Sequence, residues 1–158
     1  MAEIPLPGPD DLRRMLAMMY GRLEVKEGTP VKIEDGKCVT AIFLSDDNVP
    51  LGAALADYPF AAFTGAAMTR IPPGGAEDCA DSGELSEPIF DNVHEVFNIC
   101  SRLLMDADTP HLRLGPLYAK ASEVPESEVA SITAASRSVT MNVDVPNYGA
   151  GNVSFLVF

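Results

Sequence analysis

Apolar and polar residues follow one another along this chain with two different periods, and the switches between them mark helices and strands. Leu12, Met15, Leu16 and Met19 recur at helical spacing after Pro9, Asp10 and Asp11, and Gly21 stands where a left-handed cap ends a helix. At that spacing the methionines belong to a core face. Residues 23–33 alternate in part between apolar and charged side chains, and Asp35-Gly36 leads into Cys38, Val39, Ala41, Ile42, Phe43 and Leu44. Asp-Gly between strand-like runs predicts a hairpin. Residues 51–56 read as the next strand, after a turn supplied by Asp46, Asp47, Asn48 and Pro50, so three antiparallel strands in a meander are expected.

Pro59 opens an alanine-rich helix over residues 60–69. Residues 71–83 hold two prolines, three glycines and three acidic residues, which predicts a loop with weak amide-exchange protection. Ser86-Glu87-Pro88 then supplies the start of an amphipathic helix over residues 89–105. Leu112, Leu114, Leu117 and Tyr118 are interrupted by Gly115-Pro116, the mark of an edge strand, because proline donates nothing to a ladder. Residues 125–135 fit either a short helix or a polar connection. Residues 138–145 alternate Val139, Met141, Val143 and Val145, and a turn over 147–151 leads to Val153, Phe155 and Val157. A strand so apolar to its end lies inside the sheet or is covered by another chain, which makes a homodimer an expectation. No internal repeat is visible. The pattern as a whole predicts one α+β domain over residues 1–158, a largely antiparallel sheet covered by two or three helices.

Composition narrows the partners. With 47% hydrophobic residues the chain buries a real core, and 11 Lys and Arg against 23 Asp and Glu give a net charge of −12. Such a surface repels phosphate backbones and anionic lipid, so neither nucleic acid nor membrane is an expected partner. Cys38, Cys79 and Cys100 with His94 and His111 show no metal-ligand spacing, and each cysteine reads as a small buried residue or idle thiol. The N-terminus has no signal-peptide pattern and no apolar run approaches a membrane span, so a cytoplasmic protein is expected. No strand-turn-helix elbow surrounds Ser101 to make a hydrolase triad with His94, and the glycines lack the setting of a phosphate-cradling loop.

The helix over 89–105 carries the candidate chemistry. At about 100° per residue, Ile89, Val93, Val96, Phe97, Cys100, Leu103 and Leu104 fall on one side and Asp91, Glu95, Asn98 and Arg102 on the other. The run Glu95-Val96-Phe97-Asn98-Ile99 resembles the Glu-x-x-Asn signature of the CheC/CheX/FliY family of chemotaxis phosphatases. Residues 21–30 also leave the first helix for the sheet much as a CheX chain does, and the order of elements is similar from about Asp11 to Phe158. Residues 58–70 hold no second copy of the signature, as in the CheX branch.

The resemblance implies a CheC-like fold and a CheX-like phosphatase that hydrolyses the aspartyl phosphate of a CheY-like response regulator. Asn98 would orient the attacking water and Glu95 would bind a cationic residue of the regulator. Asp91 and Arg102, on the same ridge, are expected to dock the partner. The resemblance implies no cofactor of the chain's own, since the magnesium would belong to the regulator. The other reading is a noncatalytic CheC-like module that docks a signalling protein or a second copy of itself.

Overall fold

A computed structural model describes residues 3–158. The elements run α1 (Pro9–Tyr20), β1 (Glu24–Glu27), β2 (Cys38–Ser45), β3 (Pro50–Asp57), α2 (Tyr58–Met68), α3 (Pro73–Ser82), α4 (Glu87–Cys100), β4 (Leu112–Tyr118), α5 (Glu126–Thr133), β5 (Arg137–Val145) and β6 (Gly149–Val157). All six strands join one antiparallel sheet in the order β1-β5-β6-β3-β2-β4. The α+β class expected from the alternation is therefore the one the chain adopts.

Both faces of this sheet are covered, which explains why β2 and β3 read as near-continuous apolar runs rather than as alternating ones. Val39, Ala41 and Phe43 of β2, with Ala54 and Ala56 of β3, face the main core, where they meet Leu12 and Leu16 of α1, the apolar side of α4 and most of α2. Cys38, Ile42, Ala53 and Leu55 point the other way and pack with Val124, Ile132 and Leu156. Over the remainder of that second face the chain between β1 and β2 crosses β6, where Asn152 Oδ1 accepts from the Thr29 amide at 3.4 Å and Ser154 Oγ from the Val31 amide at 3.0 Å.

The apolar terminal strand, β6, is paired on both sides within this chain, between β5 and β3. No second chain is needed to cover it. β4 lies at the sheet edge, as its proline requires, and the ambiguous 125–135 segment is the helix α5.

Two expectations are corrected. The first is the meander. Only Glu24–Glu27 of the 23–33 segment is strand, and β1 pairs with β5, Glu24 opposite Asp144, instead of with β2. Asp35-Gly36 makes no hairpin; it ends a 3₁₀ turn, Ile33–Asp35, with Gly36 in the left-handed region at φ 71°. Only β2 and β3 form the local hairpin foreseen, turning at Asn48 with φ 64°.

The second correction is the 71–83 loop, most of which is α3. Pro72 is its N-cap and Pro73 its first residue, where the missing amide costs nothing, and Ala76 and Cys79 bury the side that packs on α2. Tertiary packing overrides the poor propensity of Gly74 and Gly75.

No sequence repeat is visible, yet α1-β1-β2-β3 and α4-β4-α5-β5-β6 share one order of strands, and exchanging them maps the strand order onto itself reversed. The counterpart of α4 is thus α1, with α2 and α3 inserted between the halves.

At the centre of the helical layer, α2 is buried from Phe60 to Ala66. An N-terminal cap holds its start: Asp57 Oδ1 accepts from the Phe60 amide at 2.8 Å, while Oδ2 accepts from the backbone and side chain of Asn152. Burial pushes the Asp57 carboxyl above its usual range, against these hydrogen bonds, which lower it. Against α4 the approach is so close that a Cβ at Gly65 would lie 2.7 Å from the Ile89 carbonyl oxygen and 2.9 Å from methyl groups of Ile89 and Val93. Gly65→Ala gains about 1 kcal/mol of helix propensity but forces two backbones apart, which costs more. A net loss of about 1–2 kcal/mol is expected in urea unfolding followed by far-UV circular dichroism; an unchanged midpoint would show the packing to be looser than described.

Candidate functional site

α4 begins after Ser86 with Glu87 and Pro88 in its first turn, and its apolar side, Ile89, Val93, Val96, Phe97 and Cys100, is buried. The regular helix stops at Cys100, and Ser101–Leu104 continues as a 3₁₀ turn, so the predicted helix over 89–105 is α-helical only in its first part. Two contacts fix its rotation. The rings of Phe97 and Phe60 stack tilted, 6.2 Å between centroids. Asn92 donates from Nδ2 to the Gly65 carbonyl at 2.8 Å and to Thr69 Oγ1 at 2.9 Å, tying α4 to the end of α2.

With the rotation set, Asp91, Glu95, Asn98 and Arg102 all stand exposed on the outer side, as the periodicity foresaw, with His94 beside them. Glu95 and Asn98 are three residues apart on a helix, which places their Cβ atoms about 5–6 Å from each other. The four ridge side chains are absent from every hydrogen bond and ion pair among the described residues. Glu95 does not pair with Arg102, and it keeps Asp91 as a like-charged neighbour, an arrangement that costs a few tenths of a kcal/mol. The ridge therefore carries free hydrogen-bonding capacity on a firmly held helix: a carboxylate that accepts, an amide that both donates and accepts, and a guanidinium that donates.

The ridge lies on the outer, convex side of a helix. Surface hollows of about 230 to 490 Å³ lie away from it, the larger lined in part by Met19, Tyr20, Arg70 and Tyr148, and these five take no lining residue from α4. Among the described residues no cluster of three His, Cys, Asp or Glu is placed to hold a metal ion. Nor does any described helix have the length and apolarity to cross a membrane. Cys100, nearest the ridge, is sealed in the core, where burial pushes its thiol up to about 12, out of reach of nucleophilic chemistry.

Residues 58–70, which hold no second signature, form most of α2, whereas the structural counterpart of α4 is α1. Pro9–Tyr20 contains neither glutamate nor asparagine, so the signature is single in either case. Sequence reasoning missed Asn92 and Ser101. Asparagine inside a helix is a poor former that usually has a local reason, and its position at the border of the apolar side was the available signal. Ser101 donates to the Asn98 carbonyl at 2.7 Å, a bond to a backbone atom that no sequence pattern announces.

No protein-family model matches the chain, and no curated protein is significantly similar to it. Solved structures are similar. The middle domain of FliM from H. pylori aligns with 94% of this chain and 84% of its own at 10% identity, with a TM-score of 0.60. FliM in a complex with SpeE, also from H. pylori, aligns with 94% of this chain and 80% of its own at 9% identity and a TM-score of 0.64. The chemotaxis protein CheX from Desulfovibrio desulfuricans covers 93% of both chains at 16% identity, with a TM-score of only 0.45. The FliM likeness shows a shared fold.

Because the ridge side chains have no internal partners, Glu95→Ala and Asn98→Ala should each leave the unfolding free energy within about 0.5 kcal/mol of native. Asn92→Ala, by contrast, should lose about 1–2 kcal/mol in the same urea titration, since it strands the clamp between α2 and α4. A large loss in the ridge variants would mean that the ridge serves the fold.

Proposed function

We propose that the ridge of α4 docks a phosphorylated CheY-like response regulator and promotes hydrolysis of its aspartyl phosphate. The observation that carries this reading is the pair Glu95 and Asn98, side by side, exposed and unpartnered on a helix locked to its neighbour. A convex ridge suits a substrate whose phosphoryl group and magnesium already sit in a pocket of the partner protein. Into that pocket the Asn98 carboxamide inserts, donating and accepting hydrogen bonds to hold a water in line with the phosphorus. No proton needs to pass through the amide, because orientation alone lowers the barrier, much as glutamine does in GTP hydrolysis. Glu95 accepts from a cationic side chain of the regulator and fixes the depth of insertion.

Asp91 and Arg102 lie about 16 Å apart along the helix axis, one near each end of the ridge. Opposite in charge, they favour one docking direction over its reverse. The chain's charge of −12 speeds approach to a partner only where that partner presents a cationic rim. A regulator substrate makes the cytoplasm the working compartment.

A second reading has an observation of its own. The fold likeness with TM-scores above 0.5 is to FliM, one structure of which is a complex with SpeE. This favours a module that docks a protein without turning it over, with Glu95 and Asn98 as contact residues only.

One assay separates the two. With CheY-like regulators charged by a small phosphodonor, the native protein should accelerate loss of the phosphoryl group. Asn98→Ala should lower that acceleration by at least about 10-fold with binding nearly kept, and Glu95→Ala should chiefly weaken binding. Binding without any acceleration of decay by the native protein would favour the docking module and end the phosphatase reading.

A further inference from the structure

We propose that Ser101 is a positioning residue for Asn98, its buried hydroxyl holding in place the peptide that carries the water-orienting amide. The inference rests on the phosphatase reading and adds to it a residue that never touches the partner.

Asn98 lies two residues before the end of α4, in the last turn, where helices fray and carbonyl groups lose their regular donors. Here the hydrogen-bonding pattern also changes, since the next turn, Ser101–Leu104, is 3₁₀. At this junction Ser101 Oγ donates to the Asn98 carbonyl oxygen at 2.7 Å. Ser101 itself is buried, 5% exposed, while its acceptor belongs to the exposed Asn98, so the bond ties a core residue to the ridge.

Two comparisons within the molecule set this bond apart. Thr64 and Ser131 also bond back along their helices, but each reaches four residues back, to Phe60 and Ser127, in line with the regular ladder. Ser101 reaches three. Among the buried polar side chains, Thr40 bonds with Cys38, Thr64 within α2 and Ser154 with Thr140. Ser101 alone bonds a residue of the ridge. Its 3₁₀ turn also carries Arg102, so one hydroxyl fixes both the amide and its spacing from the docking guanidinium.

Orientation is the whole contribution the amide makes, and a shift of about 1 Å in such a group costs on the order of 100-fold in rate. A loosened last turn would leave Asn98 present and the ridge able to dock, yet the water poorly aimed.

The test compares Ser101→Ala, Ser101→Thr and Asn98→Ala by decay of a phosphorylated CheY-like regulator at saturating regulator, beside affinity for the beryllofluoride-loaded regulator. Ser101→Ala should lower the saturating rate by about 10-fold while affinity stays within about 2-fold, and Ser101→Thr, which keeps the hydroxyl, should restore the rate. Native rates in Ser101→Ala would overturn the proposal, as would equal losses in the alanine and threonine variants. If Asn98→Ala loses the acceleration and Ser101→Ala does not, only the positioning role falls; if Asn98→Ala decays the regulator as the native protein does, the phosphatase reading falls and takes the proposal with it. Should Ser101→Ala fail to fold, Ser101→Cys decides, since a thiol fills the space but is a weak donor. A native rate there overturns the proposal and a lowered rate sustains it.

Discussion

Where α2 passes α4, only a hydrogen atom fits between the Gly65 α-carbon and the backbone of Ile89. This approach sets the depth at which α4 sits, and depth decides which of its residues reach the core. Asn92 then fixes the rotation, because its amide finds the Gly65 carbonyl and the Thr69 hydroxyl at one angle of the helix only. Depth and rotation together leave Glu95 and Asn98 outward. The exposed chemistry is thus a product of interior contacts on the opposite side of the same helix.

The division of labour along α4 is uneven in energy. Its buried side holds the fold, and its outer side contributes almost nothing to stability, even carrying the small repulsion between Asp91 and Glu95. Arg102 makes no ion pair among the described residues, and at an exposed position water solvates it at little cost. If the ridge does dock a partner, little ordering of the helix remains to be done at that moment.

How much of this was legible in the sequence depended on how local each cause is. The ridge of α4 and the alternation of β5 and β6 are periodic, and periodicity survives in one dimension. The β2–β3 hairpin was legible because Asp46 to Asn48 mark its turn. The partner of β1 was not, since Glu24 meets Asp144 across most of the chain and nothing near Glu24 says so. Asp35-Gly36 misled because the same dipeptide that closes hairpins also caps a short 3₁₀ turn. α3 was hidden by Pro72-Pro73-Gly74-Gly75, a breaker in isolation, and exists because Ala76 and Cys79 find α2 to pack on. In the candidate site the outward-facing side chains of α4 were legible, while Asn92 and Ser101, which bond to carbonyls of Gly65 and Asn98 that no sequence pattern marks, were not.

The exchange of first strands between the two halves has a consequence for synthesis. As the chain leaves the ribosome, α1 to β3 emerge with β1 unable to find its neighbour, since β5 is still to be made. β2 and β3 meanwhile expose edges that β4 and β6 will fill later. Both helices that support the ridge, α2 and α4, precede β5 and β6 in the chain, so their surfaces exist before the sheet can be closed. β6 is the one strand that joins β1-β5 to β3-β2-β4, so the sheet is a single body only once β6 is in place.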